Sequence, residues 1–583
     1  MKKYYLLVLI VLFHNIYIYS QNLDWAIGTG GGGIDQIFSS VIDDFGNIYS
    51  TGNFYGTVDF DPSSSVNNLI SAGIVDIYIQ KVDANGNLIW AKRMGGIGID
   101  YGVNITINKW VNQDTGLYLY VTGSFRDTVD FDPGNGVLNL NSKGASDIFI
   151  QKFDNNGDLI WVKSIGGLLD DEAFSTSIDI SGNVYTTGYF KDTVDFDPGT
   201  GVYNLISEGD KDIFILKLNK YGDFVWAKRM GNYLSDEGKA IELDSYGNIY
   251  TSGYFKLGVD FDPNTGINKL MANSKREIFL QKLDSNGNYI WAKKIGGKGE
   301  DEMYDMRIND TNIYFTGYFS DSADFDPSNS NYYITASGGW DIFILKLDIN
   351  GSFKWVKSMG CSNYNCLNYG YSIAYDADGN VYTSGSFSGG NVDFDPGVGV
   401  YPLTPIGLQD AFMLKLDSNG NFIWVKQFGI NGVWSTVGGN INIDKSNNIY
   451  FCGLYQDTID VDPGSGVYNL INNGSLDFFI LKLNQNNVGF QTKKNKYSDI
   501  NKLTVIPNPN NGEFSIDFNT RSNKKQSYVL SIYSSIGLLV YTEKLDVSRL
   551  IHKPINLKSL NSGMYFITLK SNEEVINAKV IIE

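Results

Sequence analysis

Two aspartates one residue apart, each pair followed by proline, recur along this chain. Val-Asp-Phe-Asp-Pro begins at Val58, Val129, Val194, Val259 and Val392, and variants begin at Ala323 and Ile459. The pairs are Asp59 and Asp61, Asp130 and Asp132, Asp195 and Asp197, Asp260 and Asp262, Asp324 and Asp326, Asp393 and Asp395, and Asp460 and Asp462. In an extended strand side chains alternate, so Val129 and Phe131 face one way while Asp130 and Asp132 face the other. Two carboxylates about 7 Å apart at Cα by strand rise repel unless something compensates them. Backbone N–H groups of the Pro-Gly loop can do so, as in Asx turns. A hard cation is the alternative, and makes these aspartates candidate calcium ligands.

Other chemistry is scarce. The only histidines are His14 and His552, both outside the repeats. Ser-His-Asp triads, Cys-His dyads and histidine metal sites are therefore excluded from the repeat region. No Gly-rich phosphate loop opens a helix. Paired acids leave a carbohydrate-active enzyme as the alternative function. Asp284, Gly287 and Trp291 faintly resemble a sialidase aspartate box, but their spacing is too wide. The copies are also too uniform for a catalytic site, which needs one distinct constellation. These turns lack the later ligands and closing glutamate of an EF-hand.

Elements must hold these residues. The first aspartates recur every 64 to 71 residues, long enough for four strands and a sizeable loop. In one unit, "KAIELD" turns through "SYGN" into "NIYTSGYF". The DFDP loop follows, then "EIFLQKLD", the turn "SNGN" and "YIWAKKIGG". Asp-x-x-Gly-Asn between two β-rich runs is a hairpin signal. Seven four-stranded units predict an all-β, seven-bladed β-propeller. Trp90, Trp161, Trp226, Trp291, Trp355 and Trp424 mark the fourth strands. One tryptophan per blade at one position reads as packing between neighbours rather than as a sugar platform. The seventh unit lacks this strand, and "LDWAIGTGGG" at Leu23–Gly32 supplies it. The N-terminus is thus predicted to close the ring. Asp35, Asp100, Asp171, Asp236 and Asp301, with Glu172, Glu237 and Glu302, lie in the loops between blades. They are predicted to share one rim with the DFDP loops.

The signature "DIFIQKxDxNGxxIWAKxxGG", as at Asp147 to Gly167, resembles the seven-bladed β-propeller repeat family of secreted bacterial proteins over residues 22–487. That resemblance implies architecture and no single activity. A polar stretch at 488–502 reads as a linker. Residues 503–583 carry short alternating strands that suggest a small β-sandwich. Pro507, Asn508, Pro509 and Gly512 in "PNPNNG", Gly537 in "IYSSIG", and Gly563 and Tyr565 in "LNSGMYF" resemble the C-terminal sorting domain of type IX (Por) secretion cargo. The resemblance implies an export address read by the type IX machinery at the outer membrane, then a surface-bound or released protein.

Residues 1–20 read as a secretory signal peptide: Lys2 and Lys3, an apolar run, then Ser20. No other run is long and apolar enough to span a membrane. The net charge of -18 disfavours nucleic acid and anionic membranes as partners. Cys361 and Cys366 are a candidate disulfide, and Cys452 reads as a buried, inert strand residue. The resulting expectation is an exported, non-catalytic propeller that binds an extracellular protein or glycan.

Overall fold

The computed structural model describes residues 19–108, then 116–487 except 274, 329, 432–434 and 465. It also describes residues 503–582 except 507–511, 520–525, 535–538, 548–549, 561 and 572–574. The predicted linker, and the predicted signal peptide up to residue 18, lie outside the described residues. The fold is all-β: the described residues contain no helix, and their strand ladders are antiparallel. Two compact units divide the chain, one of Gln21–Gln485 and one that contains Asn486–Glu583.

In the larger unit, Gln36–Ile42, Ile48–Phe54, Asp76–Val82 and Leu88–Gly96 lie side by side in chain order. Five more sheets repeat this order, with first strands at Tyr101–Ile107, Glu172–Ile178, Glu237–Leu243, Glu302–Ile308 and Tyr369–Tyr375. The last sheet is composite. Thr436–Ile443, Ile449–Tyr455 and Asp477–Asn487 supply three strands, and Tyr19–Gly31 adds the fourth.

Local chemistry fixes the outer hairpins. Asp83 Oδ1 accepts the N–H groups of Asn85 (2.8 Å) and Asn87 (2.9 Å), and Gly86 takes the positive φ (87°) that this turn requires. The glycine has a second duty. A Cβ at the same turn position, Gly86 through Gly157, Gly222, Gly287, Gly351 and Gly420, would lie 2.9–3.3 Å from the tryptophan of the preceding sheet or its neighbouring lysine, or closer. The indole of Trp90 also donates to Asn155 O (3.3 Å), and that of Trp161 to Lys220 O (3.1 Å). Trp90, Trp161, Trp226, Trp291 and Trp355 thus sit under the next sheet's turn, and Trp25 does the same against Gly86 and Ala84 O (3.0 Å).

The apolar cores lie between sheets. Tyr49, Ile77 and Ile79 of one sheet pack with Ile105, Leu119 and Phe149 of the next. Tyr450, Phe478 and Ile480 of the last sheet pack with Ile48, Tyr78 and Val82 of the first. Cys361 and Cys366 form a disulfide with Cα atoms 6.3 Å apart. Cys452 is buried beside Ser40 Oγ (3.3 Å), and burial pushes its thiol up to about 12.

In the smaller unit, Leu503–Ile506, Glu513–Asn519 and Leu550–Asn556 form one sheet, and Leu539–Val547, Gln526–Ser534, Gly563–Lys570 and Val575–Ile582 another. Phe514, Ile516 and Ile555 of the first share a core with Leu530, Ile532, Ile567 and Val580 of the second.

Candidate functional site

The DFDP loops open from short strands. Thr128–Asp130 pairs with Asn139–Asn141 and, across a sheet boundary, with the end of the preceding fourth strand: Val129 opposite Gly96 and Asp130 opposite Gly95. Val129 and Phe131 are buried, and Phe131 lies 5.1 Å from both Phe125 and Phe149. The carboxylates turn to the loop. Asp130 Oδ1 accepts the N–H of Asp132 (3.1 Å) and of Leu138 (2.8 Å), and Asp132 Oδ1 accepts that of Gly134 (2.8 Å). Asp59, Asp195, Asp260, Asp324, Asp393 and Asp460 each accept the same two N–H groups. Asp61, Asp197, Asp262, Asp326, Asp395 and Asp462 each accept the one two residues on. Among the described residues no group of three or more acids, histidines or cysteines could hold a metal ion.

The acids between sheets meet these loops at the Gly-Gly ends. Asp100, wholly buried, accepts the N–H of Gly96 (3.0 Å) at Oδ2 and of Arg126 (3.0 Å) at Oδ1. It ties one sheet's fourth strand to the root of the next DFDP strand. A Cβ on Gly95 would fall on the carboxylate of Asp76, a second buried acid that accepts from Ala72 N (2.8 Å) and Arg93 Nη1 (2.7 Å). Asp147 with Asp171, Asp212 with Asp236, and Glu277 with Asp301 repeat the pair. Burial, then the neighbouring carboxylate, push Asp100, Asp171, Asp236 and Asp301 up to about 7 against the pull of their N–H donors. The third-strand acids Asp76, Asp147, Asp212 and Glu277 were not singled out in the sequence. Their recurrence at the start of each "DIFIQK"-type strand was the signal.

A cavity of about 410 Å³ is lined by residues from the first strands of the seven main sheets of the larger unit. Side chains link each first strand to its neighbour around it. Asn104 Nδ2 donates to Ser39 Oγ (3.4 Å), and Asn104 Oδ1 accepts from Thr176 N (3.2 Å). Ser175 Oγ accepts from Ile241 N (3.2 Å), and Arg307 Nη1 pairs with Glu242 (3.1 Å). Asp305 Oδ2 accepts from Ile373 N (3.0 Å) and from Ser372 Oγ (2.9 Å). Ser372 Oγ accepts from Ile441 N (3.3 Å), and Ser40 Oγ donates to Asn440 Oδ1 (2.8 Å), which returns to the first sheet.

One sector of the lining is aromatic: Tyr304 and Tyr371 meet edge to face at 5.2 Å. Outside the lining, Tyr369 stacks on Tyr371 at 5.5 Å and Tyr318 stacks on Trp340 at 4.6 Å. Charged groups nearby are neutralised locally. Lys239 pairs with Glu237 (2.6 Å) and lies 4.0 Å over the Phe174 ring, while Lys211 takes the other oxygen of Glu237 (2.8 Å). Against the pull of burial, these two ammoniums hold Glu237 down to about 2. Glu302 pairs with Arg276 (2.8 Å). Sequence reasoning placed Glu172, Glu237 and Glu302 in the loops between blades, whereas each begins a first strand. It missed the other members of this constellation, because they differ from copy to copy.

In the smaller unit Gly512 has φ +89° and its carbonyl accepts the N–H of Leu557 (2.7 Å). Gly563 begins a strand, and Tyr565 is buried in the shared core. Pro507, Asn508, Pro509 and Gly537 lie outside the described residues. Residues 504–583 match the secretion system C-terminal sorting domain. The sorting domain marks the chain for secretion through the type IX system. The chain is similar to an uncharacterized WD repeat-containing protein, L264, of Acanthamoeba polyphaga mimivirus, at 23% identity over 73% of this chain and 36% of that protein. It is also similar to the regulatory protein FlaEY of Caulobacter vibrioides, at 23% identity over 50% of this chain and 30% of that protein. The chain therefore spans about a third of the length of these curated relatives. The strands and the relatives together support a repeat architecture of the β-propeller type. No helix among the described residues is long and apolar enough to cross a membrane.

Proposed function

We propose that this chain is an exported, non-catalytic binding module. In this reading a signal peptide over residues 1–20 precedes a seven-bladed propeller over 22–487, closed by its N-terminal strand. A linker over 488–502 leads to the sorting domain over 503–583, which delivers the propeller to the cell surface or beyond. There the propeller binds a protein or glycan partner. The sorting-domain match at 504–583 carries the export half of the proposal. The strand Tyr19–Gly31 in the last sheet supports ring closure. Binding is supported by the cavity among the first strands, whose acids are committed to ion pairs and backbone donors rather than poised as an acid and a base. The relatives, a WD repeat-containing protein and a regulatory protein, favour interaction over catalysis. The test is to incubate the purified full chain with labelled oligosaccharides and measure both retention and cleavage. Retention without cleavage is expected, and cleavage above the buffer control contradicts the non-catalytic reading.

A further inference from the structure

We infer that the cavity among the first strands is a saccharide site, which takes the end sugar of a glycan between an aromatic wall and a polar floor. This rests on the binding-module reading. The tryptophans and DFDP aspartates repeat in nearly every unit because packing and turn formation demand the same residue each time. The corresponding cavity position varies between units: it is aromatic at Phe38, Phe174, Tyr304 and Tyr371, but Val103 and Lys239 in two others. A ring held together by packing alone has no need of such variety, whereas one asymmetric ligand does.

The chemistry selects among ligands. Tyr304 and Tyr371 are partly exposed and meet at 61°, so they form an aromatic corner of the lining, with Tyr369 stacked on one face of Tyr371. An aromatic corner suits the apolar C–H face of a sugar ring. Around the same cavity Asn104, Ser175, Asp305 and Ser372 are fixed by the backbone N–H groups they accept from the neighbouring strand. Amide, hydroxyl and carboxylate side chains held in place offer mixed donors and acceptors, which is what a set of sugar hydroxyls requires. A phosphate or nucleotide would need an uncommitted cation, and the two lining cations are already paired, Lys239 with Glu237 and Arg307 with Glu242 and Asp305. About 410 Å³ falls within the roughly 300–1,000 Å³ of small-molecule pockets.

The experiment uses the full chain on an array of neutral mono- to tetrasaccharides of glucose, galactose, mannose, fucose and N-acetylglucosamine. Titration calorimetry then follows with the strongest array sugar. Tyr371→Ala and Tyr304→Ala should each weaken binding at least tenfold. Tyr371→Phe, which keeps the ring face, should bind within about threefold of the parent, with thermal unfolding run on every variant to verify the fold. Absence of any retained sugar overturns the inference. Sugar retention that survives both alanine variants also overturns it, yet leaves the binding module standing at another surface. Sugar that binds with the Tyr371 dependence and is then cleaved upholds the site and overturns the non-catalytic reading.

Discussion

At the scale of residues, carboxylates here act as acceptors for the backbone. Asp130 closes its loop through two N–H groups and Asp132 through one. Asp130→Ala should therefore cost about 1–2 kcal/mol, and Asp130→Asn less, because an amide oxygen still accepts. If the loops are turns, millimolar calcium leaves the melting temperature unchanged in differential scanning calorimetry. A rise that chelator reverses would make them ligand loops. The alternation that buries Val129 and Phe131 and turns the aspartates to the loop was legible in the sequence, since it depends on near neighbours alone. The partner of Asp100 was not legible, because Asp76 reaches it only through the packing of two sheets around Gly95. These buried acids have a further consequence. Their folded pKa of about 7 lies above the ordinary value of 3.8, so the native state holds protons that the unfolded chain has released. Their contribution to stability is full below about pH 4 and is lost as pH rises to about 7. The melting temperature should be higher at pH 5 than at pH 8, and Asp100→Asn with Asp171→Asn should narrow that difference.

At the scale of elements, the hairpin turn and the tryptophan strand form one interlocking device. The turn glycine of one sheet covers the indole of the sheet before it, so Gly157→Ala meets both a strained φ of +73° and the Trp90 ring, 3.1 Å from the new methyl carbon. Trp90→Ala, at a half-buried position, should cost about 1–3 kcal/mol in denaturant unfolding. The strand at the N-terminus matters more, because it ties the last sheet to the first DFDP strand, with Gly30 opposite Asp59 and Gly31 opposite Val58. Deletion of residues 23–32 should lower the melting temperature of the whole larger unit and broaden its transition, and an unchanged cooperative transition would count against closure. This strand was legible because its tryptophan is the one missing from the last unit. The cavity was not, because periodic reasoning seeks what repeats, and Lys239, Asp305 and Arg307 depart from the repeat. Position-by-position comparison of the first strands would have exposed them.

At the scale of the whole molecule, the two units divide the labour. The net charge of -18 disfavours anionic surfaces, and the sorting domain over 504–583 supplies the address. Because the larger unit has its own cores between its sheets, it should fold without residues 503–583. The most direct test of an exported propeller is fractionation of cells that express the chain with and without those residues, together with protease resistance of the product. The truncated chain should be folded, protease-resistant and retained in the periplasm, while the full chain reaches the surface or the medium. Arrival of the truncated chain outside the cell at the level of the full chain would contradict the account.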